Sequence, residues 1–153
     1  SVTCNCLFIL SASITNSAPV EYDRRDYGYR FYASQSNFGF YTGKPCDTNI
    51  DHVVSLKDAH ESGAWLWSFG DKANFANDRA NHVSSCVMVN SSKGSSTPSD
   101  FVRKAADGKG LDYEITELCE YLKIYHLVKR KYKLSFSNNS SKLFSRCSLD
   151  ISK

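Results

Sequence analysis

The sequence predicts an α+β fold, and three observations carry that prediction. A β-rich run covers residues 50–56, a second covers residues 82–89, and a sustained helical period begins near residue 115. Between the two β-rich runs, short helical stretches form an insertion, so the expected order is strand, helical crossover, strand and helix.

With 153 residues the chain suits one compact domain with a real apolar core. Residues 38–41 (FGFY) read as a short aromatic strand, and residues 42–45 (TGKP) as the turn that ends it. That strand is expected to neighbour the strand at 50–56. Residues 57–62 before Gly63, and residues 71–77 with Asp71 as N-cap, read as the two helices of the insertion. Residues 90–94 read as a helical turn, and Thr97 followed by Pro98 as the start of a helix through Ala106. Leu118, Leu122, Tyr125, Val128 and Tyr132 recur every three or four residues, which predicts a long helix over 115–134. Its last turns carry Lys129, Arg130, Lys131 and Lys133, either as a solvated face or as phosphate contacts. Composition then divides the chain into an arm or signal-like segment at 1–20, a domain at 21–134 and a Ser/Asn-rich tail at 135–153, with both ends peripheral.

Nineteen Lys and Arg against 16 Asp and Glu give a formal charge of +3, compatible with a polyanionic partner but too small to identify one. No stretch reaches the roughly 20 apolar residues that span a bilayer, so no membrane partner is expected. Residues 6–14 (CLFILSASI), followed by Thr15, Asn16, Ser17 and Ala18, resemble the end of a secretory signal, the alternative being a terminal strand or arm. Six cysteines without CxxC spacing favour disulfides over structural zinc, and Cys86 with Cys119 is a candidate pair.

Phosphodiester hydrolysis needs a base for water, a hard cation to neutralise developing charge, and a group that orients the base. Asp51, His52, Asn81 and Asn90 supply these types in one ordered set. Asp51 and the Asn90 amide are hard oxygen ligands suited to magnesium. His52 titrates near neutrality and can accept a proton if a carbonyl holds its second nitrogen, while Asn81 is a candidate for fixing the local geometry. Neighbouring strand residues face opposite ways, so Asp51 and His52 converge only at a loop or strand end. Trp65, Trp67 and Phe75 could stack on bases, but core packing is the favoured reading, and His60 and Asp58 read as structural.

The blocks IDHVVSLKDAHESGAW, NFANDRANHV and VNSSKGSSTPSDF, in that order, resemble the HNH endonucleases of the GmrSD C-terminal type. The likeness extends back to Tyr22, Asp23 and Arg24 and forward to Leu118, Cys119, Glu120 and Tyr121, about two thirds of the chain. Ser55 stands where that group usually has Pro, Phe101 where Trp is common, and its upstream TRxEVL block is absent. The resemblance implies a ββα-metal core with a short helical insertion and a long C-terminal helix. It implies Asp51 and Asn90 as metal ligands, His52 as the base and Asn81 as the residue that orients it. It further implies Mg2+ or Mn2+ as cofactor, DNA as substrate with RNA as an alternative, and phosphate contacts from Lys93 and from Arg24 or Arg25. Sequence-independent cleavage by a secreted monomer follows. A phage-encoded cytoplasmic nuclease, a non-catalytic nucleic-acid-binding module and a secreted toxin-like domain on the same scaffold are the alternatives.

Overall fold

The computed structural model describes residues 18–106 and 113–152, so most of the expected N-terminal arm, with Cys4 and Cys6, lies outside the described residues. Those residues form an α+β fold with two strands, β1 (Thr48–His52) and β2 (His82–Cys86), paired antiparallel from Thr48 opposite Cys86 to His52 opposite His82. Six α-helices follow in chain order: α1 (Leu56–Glu61), α2 (Phe69–Ala76), α3 (Val87–Lys93), α4 (Pro98–Ala106), α5 (Leu118–Lys131) and α6 (Ser141–Ser145).

The insertion between the strands carries α1, α2 and two 3-10 turns, Ala64–Leu66 and Arg79–Asn81. Ser55 caps α1 by accepting from Asp58 N, and Ser68 caps α2 by accepting from Asp71 N. The cap of α2 is therefore Ser68, and Asp71 lies in the first turn, where its charge suits the helix dipole.

Residues 38–41 make a single bridge, Phe38 with Pro45, instead of the expected strand, and β1 pairs with β2. Hydrogen bonds from Gly39 N to Lys44 O and from Gly43 N to Gly39 O fold this segment into a tight turn. Gly39 is required there, because a Cβ on it would lie 2.4 Å from the Cys86 sulfur. The first β-rich run stops at His52, since Asn81 claims the Val53 and Val54 backbone; the second stops at Cys86, and Val87, Met88 and Val89 turn helical. Tertiary contacts override β-propensity in this β-branched stretch.

The core is unusually aromatic. Tyr41, Phe101 and Tyr121 meet edge to face with centroids 5.1–5.8 Å apart, and Tyr27, Phe75, Tyr125 and Phe144 are fully buried beside them. Helix α5 buries Tyr121, Leu122, Tyr125 and Val128 on one stripe, as its period predicts, over a shorter span than expected. Lys129 belongs to that stripe: its ammonium is fully buried 2.8 Å from Asp58 Oδ1 and 2.7 Å from Ser62 Oγ, and donates to Ser135 O. It is thus neither a solvated cation nor a phosphate contact. Lys131, by contrast, pairs at the surface with Asp78.

The expected Cys86–Cys119 bridge does not form. Cys46 pairs with Cys86 and Cys119 with Cys147, at Cα separations of 5.6 and 5.3 Å. Cys86 ends β2 beside the turn that carries Cys46, whereas Cys119 faces the C-terminal segment. Residues 135–152 are accordingly integral and not peripheral, with Leu143 and Phe144 buried and Leu149 and Ile151 packed on the core. Removing the Cys46–Cys86 bridge, which spans 40 residues, should cost about 4 kcal/mol by loop entropy. Urea unfolding of a Cys46→Ser, Cys86→Ser variant measures this, and unchanged stability would contradict the assigned pairing.

Candidate functional site

β1 and β2 lie against α3, and the end of β1 opens into a cleft of about 420 Å³. Its walls include Tyr22, Arg24, Asp51, His52, Lys57 and Asn90. The structure thus brings together Asp51, His52, Asn90 and Arg24 from the residues singled out in the sequence. The strand remains regular through His52, and the cleft straddles its last two residues, which answers how adjacent side chains share a site.

On one side of the strand, Asp51 is almost fully buried, and its Oδ2 accepts from the Tyr41 hydroxyl at 2.5 Å. Lys93 Nζ lies 3.1 Å from Asp51 Oδ2 and donates to His52 O at 3.0 Å. Lys93 is fully buried behind the cleft wall and paired with Asp51, so it does not present its ammonium to phosphate as the resemblance implied. Gly94 ends α3 with φ +53°, a sharp turn in the backbone directly after Lys93.

On the other side, His52 Nε2 lies 2.8 Å from Ala76 O. A carbonyl only accepts, so Nε2 carries the hydrogen and the neutral ring keeps its lone pair on Nδ1. No hydrogen bond from a described residue reaches that Nδ1. His82 Nε2 approaches the same Ala76 carbonyl at 2.9 Å, and His82 Nδ1 accepts from Tyr32 OH at 2.8 Å. The two imidazoles meet edge to face at 4.6 Å, and Tyr29 packs against His52 at the same separation.

Burial is the main cause that pushes the His52 imidazolium down, to about 3; the Ala76 carbonyl opposes the shift, and His82, Arg24 and Lys93 add repulsion. Burial likewise lowers His82. Both rings are therefore neutral at physiological pH. Between the ordinary value near 6.5 and the depressed one the unfolded chain binds more protons than the folded one, so stability falls as pH falls. At pH 5, His52 alone should cost about 2 kcal/mol relative to pH 7. Urea midpoints at the two pH values test this, and a flat profile would show that His52 is not buried neutral.

Asn81 is fully buried and holds Val54 from both sides: Val54 N donates to its Oδ1 at 2.8 Å and its Nδ2 donates to Val54 O at 2.9 Å. With Val53 N donating to Asn81 O, this fixes the chain immediately after His52. Asn81 thus acts on the backbone beside His52 and not on the imidazole. Asn90 lines the cleft, and its Nδ2 donates to Asn49 Oδ1 at 2.8 Å, so the amide oxygen is not the atom that this bond uses.

Arg24 lies 5.7 Å over the Tyr29 ring and lines the cleft, whereas Arg25 is bound to the Asp23 carboxylate at 2.7 Å and does not line it. Tyr41, Asn49, Tyr29 and His82 were missed by sequence reasoning. Only Asn49 carried a signal, since it stands two residues before Asp51 on the same face of a strand.

The oxygen donors here, one carboxylate and one amide, are few and hard, which fits a magnesium-like ion that retains its waters. Among the described residues, no cluster of three or more His, Cys, Asp or Glu offers a denser cage.

No family model matches the chain, and no solved structure matches it. Over 94 residues it is 32% identical to an "Uncharacterized secreted protein" of Arthroderma benhamiae, covering 60% of this chain and 42% of that protein. The chain therefore spans less than half the length of that relative. Two disulfides fit an extracellular protein, and no helix among the described residues is long and apolar enough to cross a membrane.

Proposed function

We propose that the chain is a secreted, metal-dependent HNH endonuclease with a ββα-metal core, hydrolysing phosphodiester bonds in DNA with little sequence specificity. The observation that carries this reading is His52: its Nε2–H is tied to the Ala76 carbonyl, its Nδ1 takes no hydrogen bond from a described residue, and its ring lines the same cleft as Asp51 and Asn90.

Asp51 Oδ1 and the Asn90 amide oxygen would hold a magnesium or manganese ion. When bound, that ion supplies charge neutralisation at the scissile phosphate and the leaving oxygen. His52 Nδ1 accepts the proton of the attacking water as its oxygen bonds to phosphorus, and the departing oxygen takes a proton from solvent. Arg24 and Lys57, both on the cleft wall, attract and orient the phosphodiester. Asn81 holds the backbone that presents His52. Sparse basic residues at the cleft favour backbone contact over base reading.

A plasmid-cleavage assay over a series of divalent ions, with and without chelator, tests this. Nicking should require Mg2+ or Mn2+, and Asn90→Ala should lower it in a way that extra metal partly restores, because a ligand rather than the base is lost. Absence of cleavage with every ion would leave a non-catalytic binding module as the better reading.

A further inference from the structure

The charge inside the cleft wall is already balanced before any ligand arrives. Asp51 carries the carboxylate, and the fully buried Lys93 ammonium lies 3.1 Å from its Oδ2 and 3.4 Å from its Oδ1. The other charged side chains on the cleft are Arg24 and Lys57, the latter 3.8 Å from Glu61 at the surface. His52 is neutral. A divalent cation entering this cleft meets no net negative charge, only one neutralised carboxylate and an amide oxygen. A phosphodiester, which carries one negative charge, meets Arg24 and Lys57.

We propose that Lys93 is a positioning residue that acts as a built-in counter-cation to Asp51, so that a divalent ion and a phosphodiester bind this cleft only weakly alone and strengthen each other. The inference rests on the nuclease reading and goes beyond it, because it assigns Lys93 a role in metal affinity and not in contact with the phosphate. Each ligand brings the charge the other requires, and the strengthening is reciprocal by thermodynamic linkage. Lys93 also holds His52 O at 3.0 Å, so the same ammonium that tempers the metal site fixes the backbone of the base. The device would keep a secreted nuclease from retaining a metal ion when no nucleic acid is present.

The test is a Mn2+ titration of the full chain, read by electron paramagnetic resonance of free Mn2+, with and without a short phosphorothioate-linked duplex. Binding to the duplex alone is subtracted. For the wild-type chain the duplex should tighten Mn2+ binding about tenfold or more, and a charge-neutral methylphosphonate duplex should not. In Lys93→Met, which keeps the side chain's bulk and removes its charge, Mn2+ should bind about tenfold tighter without duplex, and the duplex should add little. Equal Mn2+ affinity with and without duplex in the wild type would overturn the proposal, as would a folded Lys93→Met whose affinity is unchanged or weaker. If Lys93→Met does not fold, the wild-type comparison decides alone. Mn2+-dependent plasmid cleavage without this coupling would remove only the role of Lys93, whereas loss of both cleavage and Mn2+ binding would remove the nuclease reading with it.

Discussion

His52→Ala is expected to abolish plasmid cleavage while leaving the fold intact. Loss of a general base typically costs on the order of 10²–10⁴ in rate. Few buried imidazoles can be deleted without leaving an unpaired partner, but this one can, because His82 also donates to Ala76 O. Removing a buried neutral ring leaves a cavity, whose cost should appear as a modest fall in melting temperature. That cost is offset at low pH, where the variant no longer resists protonation at this position. The cations proposed to attract phosphate, Arg24 and Lys57, are untouched by this substitution, so DNA binding should persist. Higher metal concentration should restore nothing, in contrast to Asn90→Ala. Cleavage at the parent rate by purified His52→Ala would end the proposed mechanism and leave only a fold-level likeness.

Asn81→Ala should do the opposite and damage the fold first. It leaves Val54 N–H and Val54 C=O without partners in a fully buried setting, and each such group costs about 1–3 kcal/mol. A loss of about 2–5 kcal/mol is therefore expected in urea unfolding. Asn81→Asp retains the acceptor for Val54 N and loses the donor to Val54 O, so it should be milder unless its charge is forced into burial. Activity should fall in both variants even at temperatures where they remain folded, because the segment after His52 loses its anchor. Full stability in Asn81→Ala would mean that the Val54 backbone finds other partners and that Asn81 does not fix the segment after His52.

The strand, insertion, strand and helix order was legible because it rests on local patterns: β-branched runs, the Gly63 stop after the first insertion helix, and a three-to-four residue period in α5, whereas the caps at Ser55 and Ser68 were not read. What failed was non-local. Residues 38–41 have the aromatic content of a strand, yet the close approach of Gly39 to Cys86 makes them a turn. Val87 and Val89, on either side of Met88, are β-branched, yet these residues begin α3 because the Cys46 bridge and β1 fix where β2 must end. The Cys86–Cys119 pairing failed for the same reason: spacing says nothing of which turn lies beside a strand end. In the cleft, Asp51, His52 and Asn90 were found by residue type and order. Tyr41 and Lys93 on Asp51, and His82 beside His52, depend on strand register and on the facing of α3, which no single sequence displays.

The group that aims the His52 imidazole is a main-chain carbonyl, at the last residue of α2. No side chain encodes it. Any residue at position 76 small enough for its fully buried place could present the same oxygen, provided the helix ends there. The insertion is therefore free to drift in its letters while remaining bound in its length: one residue added or removed between α1 and β2 would swing the acceptor away from both histidines. Engineering this protein for new properties should thus tolerate broad substitution on the exposed face of α2, at Asp71 or Asn74 for example, and should tolerate no change in the count of residues that follows it.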